Sequence, residues 1–296
     1  MRLESRVAIV TGAGGGLGRA HALLLARYGA RVVVNDMDPS AAKRVADEIV
    51  AAGGDAIPVA ASVADEAAVA TMIGGVMSHW GRVDILINNA GILRDKTFAK
   101  MSLADFRLVL DVHLMGSVIC TKAVWDIMRQ QQYGRVVMTT SSSGLYGNFG
   151  QSNYGAAKLA LVGLMQTLGL EGEKHNIRVN CLAPTAATQM THGVLAEEAL
   201  QRLDPKLVSP GLLALVAEQA PNRAIMCAGA GNFARAYVTL TKGVHVGDGA
   251  DAGERVIAQW EQISDRTDEI VPAYGFKQAE RELASAGYVA PAMAER

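Results

Sequence analysis

Short apolar segments rich in β-branched residues alternate with longer helical patterns along the first 230 residues of the chain. Because these short segments are continuously apolar rather than alternating, we expect strands buried on both faces, as in a parallel sheet covered by helices. The pattern predicts a doubly wound parallel α/β sheet with helices on both faces. Strands are predicted over Arg6–Thr11, Arg31–Asp36, Ala56–Ala60, Val83–Asn88, Arg135–Thr140 and Ile177–Leu182, and helices over Leu17–Tyr28, Pro39–Ala52, Glu66–Trp80, Leu103–Gln131 and Gln151–His175.

The regular alternation ends after Pro184. Residues Thr185–Pro205 are polar and without a clear period, and we interpret them as a lid over the site. A helix over Pro210–Gln219 and a short strand near Ala224–Gly229 are expected to close the sheet.

Two polar helical segments, near Glu254–Ser264 and Lys277–Ala286, follow Gly243. We predict that residues 1–250 form one domain. Residues 251–296 are then a C-terminal helical extension that packs on this domain or on a neighbouring subunit.

The charge balance is close to neutral, with 28 Lys and Arg against 29 Asp and Glu and a formal net charge of -1. A chain without surplus cations is not expected to bind nucleic acid or an acidic membrane face. The 50% hydrophobic content argues against disorder. We also expect no membrane-spanning helix, because we find no uninterrupted apolar run of about 18 residues.

Three cysteines, Cys120, Cys181 and Cys227, lie far apart in the sequence. Their odd number argues against a disulfide framework, and their spacing fits no zinc site. Because the first predicted strand begins directly after Met1–Glu4, we expect no signal peptide. The sequence therefore predicts a cytoplasmic protein with reduced thiols and no metal site.

A glycine-rich segment, Thr11–Gly18 (TGAGGGLG), joins the first predicted strand to the first predicted helix. Gly12 permits a tight turn, Gly16 lets a pyrophosphate approach the backbone, and Gly18 lets the helix pack on the strand. The helix N-terminus offers free N–H groups to phosphates. No Lys-Ser or Lys-Thr pair follows, which argues against a P-loop. We predict a dinucleotide site of the Rossmann type, with contacts from Gly12, Gly14, Gly16, Leu17 and Gly18.

A carboxylate, Asp36, ends the second predicted strand. At this place a carboxylate accepts hydrogen bonds from the adenosine ribose and repels a 2′-phosphate. Neither Met37 nor Asp38 offers an arginine to hold such a phosphate. The predicted cofactor is NAD rather than NADP. The alternative role of a helix-capping turn residue fits Asp38 better than Asp36.

Tyr154 and Lys158 lie four residues apart near the start of a predicted helix, so they share one face. A lysine ammonium one turn away is expected to lower the pKa of the phenol toward neutrality, which suits an acid/base. Ser141 follows the strand before this helix, where an open α/β sheet contacts its ligands. No Gly-x-Ser-x-Gly elbow surrounds it, which disfavours a hydrolase. Ser142 and Ser143 remain alternatives to Ser141.

Four motifs together resemble the short-chain dehydrogenase/reductase family over residues 3–230: TGAGGGLG at 11–18, Asn-Asn-Ala-Gly at 88–91, Ser141, and Tyr-Gly-Ala-Ala-Lys at 154–158. The resemblance implies that Tyr154 is the general acid/base, Lys158 its activator and Ser141 the group that orients the substrate carbonyl. It also implies cofactor contacts from Ser62, Val63, Asn89, Gly91, Tyr154, Lys158, Pro184 and Ala187.

Further segments resemble one branch of that family: residues 91–98 (GILRDKTF), 112–117 (VHLMGS) and 146–151 (YGNFGQ). The branch is the (3R)-hydroxyacyl-CoA dehydrogenase domain of peroxisomal multifunctional enzyme type 2, also called 17β-hydroxysteroid dehydrogenase type 4. The resemblance implies oxidation of 3-hydroxyacyl-CoA thioesters. The tail past Phe233 matches this branch poorly.

The chain departs from the wider family at three places. His113 stands where most members have the asparagine of the catalytic set, Ser62-Val63 where Asp-Val is usual, and Pro184-Thr185 where Pro-Gly is common. A neutral imidazole at position 113 is expected to replace the asparagine in a proton relay behind Lys158. The alternative for His113 is a satisfied histidine of the core.

Substrate contacts are predicted from two places. The cations Arg94, Lys96 and Lys100 are candidates for the phosphates of a CoA, or else ordinary solvated surface. In the lid, Met190, His192 and Leu195 are predicted to line the pocket or to pack as core.

The helix Gly155–Leu170 is apolar nearly all round, so it needs a partner besides its own sheet. The family resemblance implies a homodimer or homotetramer through this helix.

The leading hypothesis is an NAD-dependent oxidoreductase that interconverts a bulky secondary alcohol and its ketone, with a (3R)-3-hydroxyacyl-CoA as the small-molecule substrate. One alternative is a hydroxysteroid dehydrogenase that acts on a free steroid. A third hypothesis is a noncatalytic NAD-binding regulator.

Overall fold

A computed structural model of the chain describes residues 2–187 and 197–288. Its contacts divide the chain into two units, Met1–Ala236 and Tyr237–Arg296. The first unit ends with the last strand of its sheet, so the division lies before the domain boundary predicted after residue 250.

Eight strands and nine helices are described in the first unit. The strands are β1 (Val7–Thr11), β2 (Arg31–Asp36), β3 (Asp55–Ala60), β4 (Ile85–Asn88), β5 (Gly134–Thr139), β6 (Ile177–Thr185), β7 (Ile225–Gly229) and β8 (Asn232–Ala236). The helices are α1 (Gly16–Arg27), α2 (Pro39–Ala51), α3 (Glu66–Trp80), α4 (Leu103–Leu110), α5 (Gly116–Gln131), α6 (Ser142–Tyr146), α7 (Ser152–Gly172), α8 (Glu197–Gln201) and α9 (Ser209–Val216).

The strands form one sheet in the order β3-β2-β1-β4-β5-β6-β7-β8. The first seven strands pair in parallel and β8 pairs antiparallel to β7. The direction of winding reverses between β1 and β4, and the carboxyl ends of the strands at such a switch point border the ligand crevice. The predicted doubly wound α/β fold is confirmed.

The core lies on both faces of the sheet, which explains the continuously apolar strands. In β1, Ala8 and Val10 pack on one face, whereas Val7 and Ile9 pack on the other, because successive side chains of a strand point to opposite sides. Helices α1, α2 and α9 cover the first face, and α3, α5 and α7 cover the second. Strands with an alternating polar and apolar pattern would instead indicate a sheet with one face exposed to solvent.

The predicted helix Leu103–Gln131 is interrupted by a π-helical segment, Asp111–Met115, between α4 and α5. Together these segments are long and apolar enough to cross a membrane, by length and composition alone. Here α5 instead packs on α3, β4 and β5, as a core helix does. The π-helical segment places His113 in the site described below.

The second unit contains α10 (Ala252–Ala258), α11 (Trp260–Ile263) and α12 (Phe276–Ser285). An isolated antiparallel bridge joins Leu240 to Ile270. Within residues 237–288, the part of this unit that the structure describes, no residue is buried. The predicted helical character of the extension is present in these three short helices.

Candidate active site

The glycine-rich segment forms the turn between β1 and α1. Gly12 has a φ of +62° and Gly16 a φ of +52°, both in the left-handed region that favours glycine. A Cβ on Gly12 would lie 2.8 Å from the Cα of Ala90, and a Cβ on Gly18 would collide with the Gly12 carbonyl. The predicted roles of Gly12 in the tight turn and of Gly18 in close packing therefore have a steric reason, whereas the approach of a pyrophosphate at Gly16 stays a prediction.

Two side chains stabilise this turn by hydrogen bonds, one at the end of β1 and one directly after β4. The Thr11 hydroxyl accepts hydrogen bonds from the N–H groups of Asn89 and Ala90, each at 3.0 Å. The Asn89 amide donates to the carbonyls of Thr11 at 2.9 Å and Gly12 at 3.2 Å. The Asn89 side chain thus holds the glycine-rich turn in place, a role that the sequence analysis did not foresee.

Asp36 lies beside the same turn, at the end of β2. Its Oδ2 accepts from the Gly14 N–H at 2.9 Å, and its Oδ1 accepts from the Asp38 N–H at 3.1 Å. Any side chain on Gly14 would contact this carboxylate, because a Cβ there lies 2.8 Å from Oδ2. Asp38 instead caps α2 by accepting from the Ser40 N–H.

The start of α1 has the features of an anion site. The cap residue, Gly15, offers no side-chain acceptor, and the first turn contains no acidic residue. A Cβ on Gly15 would meet no atom within 4 Å. Free N–H groups at a helix N-terminus with open space in front bind phosphate groups. This turn and the Asp36 carboxylate fit the pyrophosphate and ribose of a dinucleotide.

A second cluster forms at the carboxyl end of β5. Tyr154 and Lys158 share one face of α7, and the Ser141 side chain lies near the Tyr154 phenol, where it acts to lower the pKa of that phenol. Lys158 is only 3% exposed, and its Nζ donates to the Thr139 carbonyl at 2.5 Å. That Nζ lies 5.4 Å from the centre of the Tyr154 ring. Ser141, Tyr154 and Lys158 are therefore brought together as predicted.

Neither alternative serine has this position. Ser142 is exposed, and Ser143 donates its backbone N–H to the Ser141 hydroxyl at 3.2 Å. Of the three serines, it is Ser141 whose side chain influences the pKa of the Tyr154 phenol.

The pKa of the phenol does not shift in the predicted direction. Burial raises the pKa of Tyr154 above its ordinary value, and the hydrogen bond from Ser141 opposes this only partly. Burial also lowers the pKa of Lys158 to about 7. The predicted lowering of the phenol pKa by a neighbouring ammonium is therefore wrong, because the desolvation that surrounds both groups disfavours their charged forms.

His113 joins this cluster from the π-helical segment. Its ring meets the Tyr154 ring edge to face, with centroids 5.2 Å apart and planes at 89°. Its Nε2 lies 3.0 Å from the backbone N of Ile92 and 2.8 Å from the Ile92 carbonyl oxygen. Its Nδ1 is buried without a hydrogen-bond partner. Burial lowers the pKa of His113 to about 3, so the ring is neutral at ordinary pH.

The sequence analysis missed Asn153. This fully buried residue donates from Nδ2 to the Arg94 carbonyl at 3.1 Å and accepts the Tyr154 N–H at 2.7 Å. It therefore fixes the start of α7 to the segment after β4. Its place directly before the tyrosine of the Tyr-x-x-x-Lys motif was the available signal.

The other predicted cofactor residues border the same edge of the sheet. Leu17 packs partly buried on the core, and Val63 is buried against Gly116. The Ser62 hydroxyl accepts from the Ala64 N–H at 3.3 Å, and Gly91 leaves room for the His113 ring. Pro184 lies near the end of β6, and the Ala187 N–H donates to the Leu203 carbonyl at 2.7 Å. Met190, His192 and Leu195 lie outside the described residues.

The three cations predicted to meet the phosphates of a CoA, Arg94, Lys96 and Lys100, form a cationic rim that is partly neutralised by an aspartate. Asp105 lies 3.9 Å from Arg94 and 3.3 Å from Lys96, both about half exposed. Lys100 is exposed and makes no ion pair with the described residues. Two aromatic side chains flank these cations in the open, Phe98 at 77% and Phe149 at 88% exposed. The segments that carry them are joined by a hydrogen bond from the Lys96 N–H to the Gly150 carbonyl.

Within residues 2–187 and 197–288, no group of three or more His, Cys, Asp or Glu side chains is arranged to hold a metal. Cys120 and Cys181 are buried and Cys227 is half-buried, and all three are free thiols.

Comparison with known families gives one match along most of the first unit. A family profile described as short chain dehydrogenase matches residues 6–199. A curated relative from Mycobacterium tuberculosis, named "Putative short-chain type dehydrogenase/reductase Rv0148", is 46% identical over 273 residues, which are 89% of this chain and 95% of that protein.

The chain is also similar to a much longer protein, peroxisomal multifunctional enzyme type 2 of Drosophila melanogaster. The two are 50% identical over 219 residues, which are 71% of this chain and 36% of that protein. The full-length structure of the fly enzyme superposes with a TM-score of 0.82 at 38% identity, covering 97% of this chain and 50% of that one.

A third similarity is to a solved 7α-hydroxysteroid dehydrogenase complexed with NADH and 7-oxo glycochenodeoxycholic acid. It has a TM-score of 0.73 at 30% identity and covers 78% of this chain and 95% of that one.

Proposed function

The chain belongs to the short-chain dehydrogenase family, and from that membership we propose that it is an NAD-dependent dehydrogenase of (3R)-3-hydroxyacyl-CoA thioesters. The observation that carries the proposal is the convergence of Ser141, Tyr154 and a buried Lys158 at the end of a central strand, beside a turn that fits a dinucleotide.

Ser141, Tyr154 and Lys158 each have a separate role in the proposed oxidation of an alcohol. Ser141 donates a hydrogen bond to the substrate oxygen, and the Tyr154 phenolate takes the hydroxyl proton. A nicotinamide dinucleotide, when bound, supplies the hydride acceptor for oxidation and the donor for reduction. Lys158 donates a hydrogen bond to the Thr139 carbonyl near the phenol, and its Nζ is the group that would hold the nicotinamide ribose. The reduction of a ketone uses the same groups in reverse.

The choice of NAD over NADP rests on Asp36. Its carboxylate lies at the end of β2 and is held by the Gly14 and Asp38 N–H groups. These two bonds leave acceptor positions free for ribose hydroxyls, and the negative charge repels a 2′-phosphate.

Replacement of Asp36 by alanine is expected to lower the ratio of kcat/KM with NAD to kcat/KM with NADP by about 10- to 100-fold, since a hydrogen bond to a charged group is lost and a repulsion is removed. Steady-state kinetics with both cofactors measures this ratio. Asp38→Ala is the matched control. It also removes a carboxylate next to the site, but the only interaction it is expected to lose is the cap of α2. If Asp36→Ala has the same ratio of kcat/KM with NAD to kcat/KM with NADP as wild type, Asp36 does not select the cofactor.

The substrate class is supported by the relatives and by the rim of the site. One curated relative is named peroxisomal multifunctional enzyme type 2, and another, from Saccharomyces cerevisiae, is named peroxisomal hydratase-dehydrogenase-epimerase. Arg94, Lys96 and Lys100 supply cations for the phosphates of a CoA. The exposed rings of Phe98 and Phe149 supply an apolar surface for its acyl chain.

The second candidate is a hydroxysteroid dehydrogenase that acts on a free steroid. The structural similarity to a 7α-hydroxysteroid dehydrogenase favours it, as do the exposed aromatic rings. A steroid nucleus, however, would leave the cations of the rim without a role. A noncatalytic NAD-binding regulator is less well supported, because it would not need a buried lysine beside a tyrosine and a serine.

NADH formation with a panel of (3R)- and (3S)-3-hydroxyacyl-CoAs, hydroxysteroids and simple secondary alcohols tests the proposal. The (3R)-thioesters are expected to give the highest kcat/KM. Lys96→Ala and Lys100→Ala should raise KM for the CoA thioesters and leave KM for a free alcohol unchanged. Turnover of steroids alone would favour the second candidate, and no turnover of any alcohol would favour the regulator.

The proposed assembly is a homodimer or homotetramer through the helix around Gly155–Leu170. One face of α7 is buried on the sheet, whereas Leu159 and Leu170 on the same helix are 48% and 42% exposed. A second copy of the chain would cover these side chains, and light scattering of the purified protein reports the number of subunits.

A cytoplasmic location is part of the same proposal, because a reducing compartment keeps the three thiols free.

A further inference from the structure

Building on the proposed dehydrogenase function, which requires a bound dinucleotide, we propose that Asn35 is a positioning residue for the adenine half of that cofactor. Its buried side chain holds the segment after β3 (residues 61–64) against the end of β2. Asn35 thus acts on the base through this segment, whereas its neighbour Asp36 acts on the ribose directly.

The Asn35 side chain uses both of its N–H donors on the neighbouring strand. Asn35 is 1% exposed, and its Nδ2 donates to the Val59 carbonyl at 3.2 Å and to the Ala61 carbonyl at 3.0 Å. The opposite orientation of the amide would place its oxygen against both carbonyl oxygens, so these two acceptors fix which way the amide points. The side chain therefore ties the end of β3, and the residue directly after it, to β2.

The backbone around Asn35 connects the same place to the glycine-rich turn. The Asn35 carbonyl accepts from the Ala13 N–H at 2.8 Å, and the Asp36 carboxylate accepts from the Gly14 N–H. On the other side, the Asp36 carbonyl accepts from the Ala61 N–H at 3.2 Å. The end of β2 thus lies between the turn that fits a pyrophosphate and the segment after β3.

The segment after β3 has a second anchor at its far end. Val63 is buried on the second face of the sheet, and its side chain packs against Gly116 at the start of α5. Between the two anchors, the Ser62 hydroxyl accepts from the exposed Ala64 at 3.3 Å. The position of this short segment therefore depends on Asn35 at one end and on Val63 at the other.

The remaining atom of the Asn35 amide supports a role beyond packing. Its Oδ1 is buried without a hydrogen-bond partner, and a buried acceptor without a partner opposes folding. Val33 lies two residues earlier in β2, on the same face, and is apolar and buried. An apolar side chain at position 35 would fit the same layer without that cost. The asparagine is therefore explained by the two carbonyls that it holds.

The order of the strands places the adenine half on this side of the sheet. Ser141 and Tyr154, which are assigned to the chemistry at the nicotinamide, follow β5, and the turn assigned to the pyrophosphate follows β1. In the order β3-β2-β1-β4-β5, the adenosine half then extends the other way, toward β2 and β3. Since Asp36 holds the ribose, the attached base meets the segment after β3. A shift of that segment should weaken binding of the base and leave the nicotinamide half in place.

Asn35→Leu tests this role, because it removes both donors and keeps a similar volume. The dissociation constant for ADP-ribose, measured by calorimetry, is expected to rise about 10-fold. The dissociation constant for reduced nicotinamide mononucleotide, which lacks the adenosine, should stay within about twofold of wild type when measured by fluorescence. In turnover, KM for NAD should rise by the same factor as the ADP-ribose constant, with kcat at saturating NAD near wild type.

Hydrogen exchange gives a readout that does not depend on the cofactor. Without the two Asn35 bonds, the amides of the segment after β3 should exchange faster in the free variant than in the free wild type. ADP-ribose should restore part of this protection. Asn35→Ala, which also removes both donors, replaces Asn35→Leu if the leucine variant does not unfold cooperatively.

The matched control is Asn180→Leu. Asn180 is also a fully buried asparagine of a strand, β6, and its Nδ2 donates to the Pro221 carbonyl at 2.7 Å and to the Leu215 carbonyl at 3.4 Å. These partners belong to α9 and the segment after it, not to the segment after β3. Asn180→Leu should therefore lower the melting temperature without changing the dissociation constant for ADP-ribose.

An unchanged affinity for ADP-ribose in the Asn35 variants would overturn the proposal. So would an equal loss of affinity for reduced nicotinamide mononucleotide, or an equal loss of ADP-ribose affinity in Asn180→Leu, because either result would indicate a general loss of structure. A wild-type chain that binds no ADP-ribose would overturn it as well. If the wild-type chain binds ADP-ribose but turns over no alcohol, the proposed function fails, and the affinities of the same variants still decide the role of Asn35.

Discussion

Tyr154→Phe is expected to lower kcat for alcohol oxidation by about 1,000-fold or more, while NADH still binds with nearly unchanged affinity. The substitution removes one oxygen and keeps the ring that meets His113 edge to face. Without that oxygen the enzyme lacks the group that takes the substrate proton in the proposed mechanism. Single-turnover absorbance at the nicotinamide band measures the chemical step, and fluorescence titration measures binding.

The matched control for this prediction is Tyr133→Phe. Tyr133 is also buried, and burial also raises the pKa of its phenol, but it lies at the amino end of β5 under the Arg6 and Arg135 guanidinium groups. This substitution also removes a phenol oxygen, but at the amino ends of the strands, away from the site at their carboxyl ends. The activity of Tyr133→Phe should therefore stay near wild type. Retained turnover in Tyr154→Phe would show that another group moves the proton.

The wild-type pH dependence follows from the raised pKa of Tyr154. The phenolate is the base for alcohol oxidation, and burial keeps the phenol protonated until the pH exceeds its ordinary pKa. The kcat/KM for alcohol oxidation, which reports the ionisation of the free enzyme, should therefore rise with pH. Ketone reduction needs the protonated phenol and should slow at high pH.

The sheet could be predicted from the sequence because its strands lie between two helical layers. Val7 to Val10 and Ile85 to Ile87 are apolar at every position, and each second side chain packs on the opposite face. Strand β8 was missed for a local reason. It returns from β7 through Ala230 and Gly231, both with positive φ, and such a two-residue turn is normally signalled by Asn-Gly or Asp-Gly.

The site was predictable where spacing alone sets geometry. Tyr154 and Lys158 share a helix face, and Asp36 and Ser141 come at or just after strand ends, so their convergence follows from the fold. The direction of the phenol pKa was not predictable, because it depends on how much water each group loses. The π-helical segment was also hidden, since a one-residue change of helical pitch leaves no clear mark on the apolar period.

Lys158→Met is expected to lower kcat by about 100-fold or more and at the same time to stabilise the fold. The lysine Nζ is the polar group beneath the Tyr154 phenol, and methionine removes it while keeping a similar volume. Kinetics with the best alcohol substrate measures the loss. Thermal unfolding of both proteins at several pH values measures the gain.

The sign of the stability change follows from the pKa of Lys158, which burial lowers from 10.5 to about 7 in the folded chain. Below pH 7 both states carry the charge and the full cost of burying it opposes folding. Between pH 7 and 10.5 the unfolded chain binds more protons than the folded chain, so the free energy of unfolding rises with pH. The stabilisation by methionine should thus be largest below pH 7 and fade toward pH 10.5.

Lys122→Met is the matched control, because Lys122 is an exposed lysine of α5 that should change neither kcat nor the pH dependence of unfolding. If the melting temperatures of Lys158→Met and wild type differ by the same amount at pH 6 and at pH 9, then Lys158 is not a buried lysine with a lowered pKa. Full activity in Lys158→Met would contradict the place of the lysine beneath the phenol. Loss of activity together with gained stability is expected of a charged group that is buried for chemistry rather than for folding.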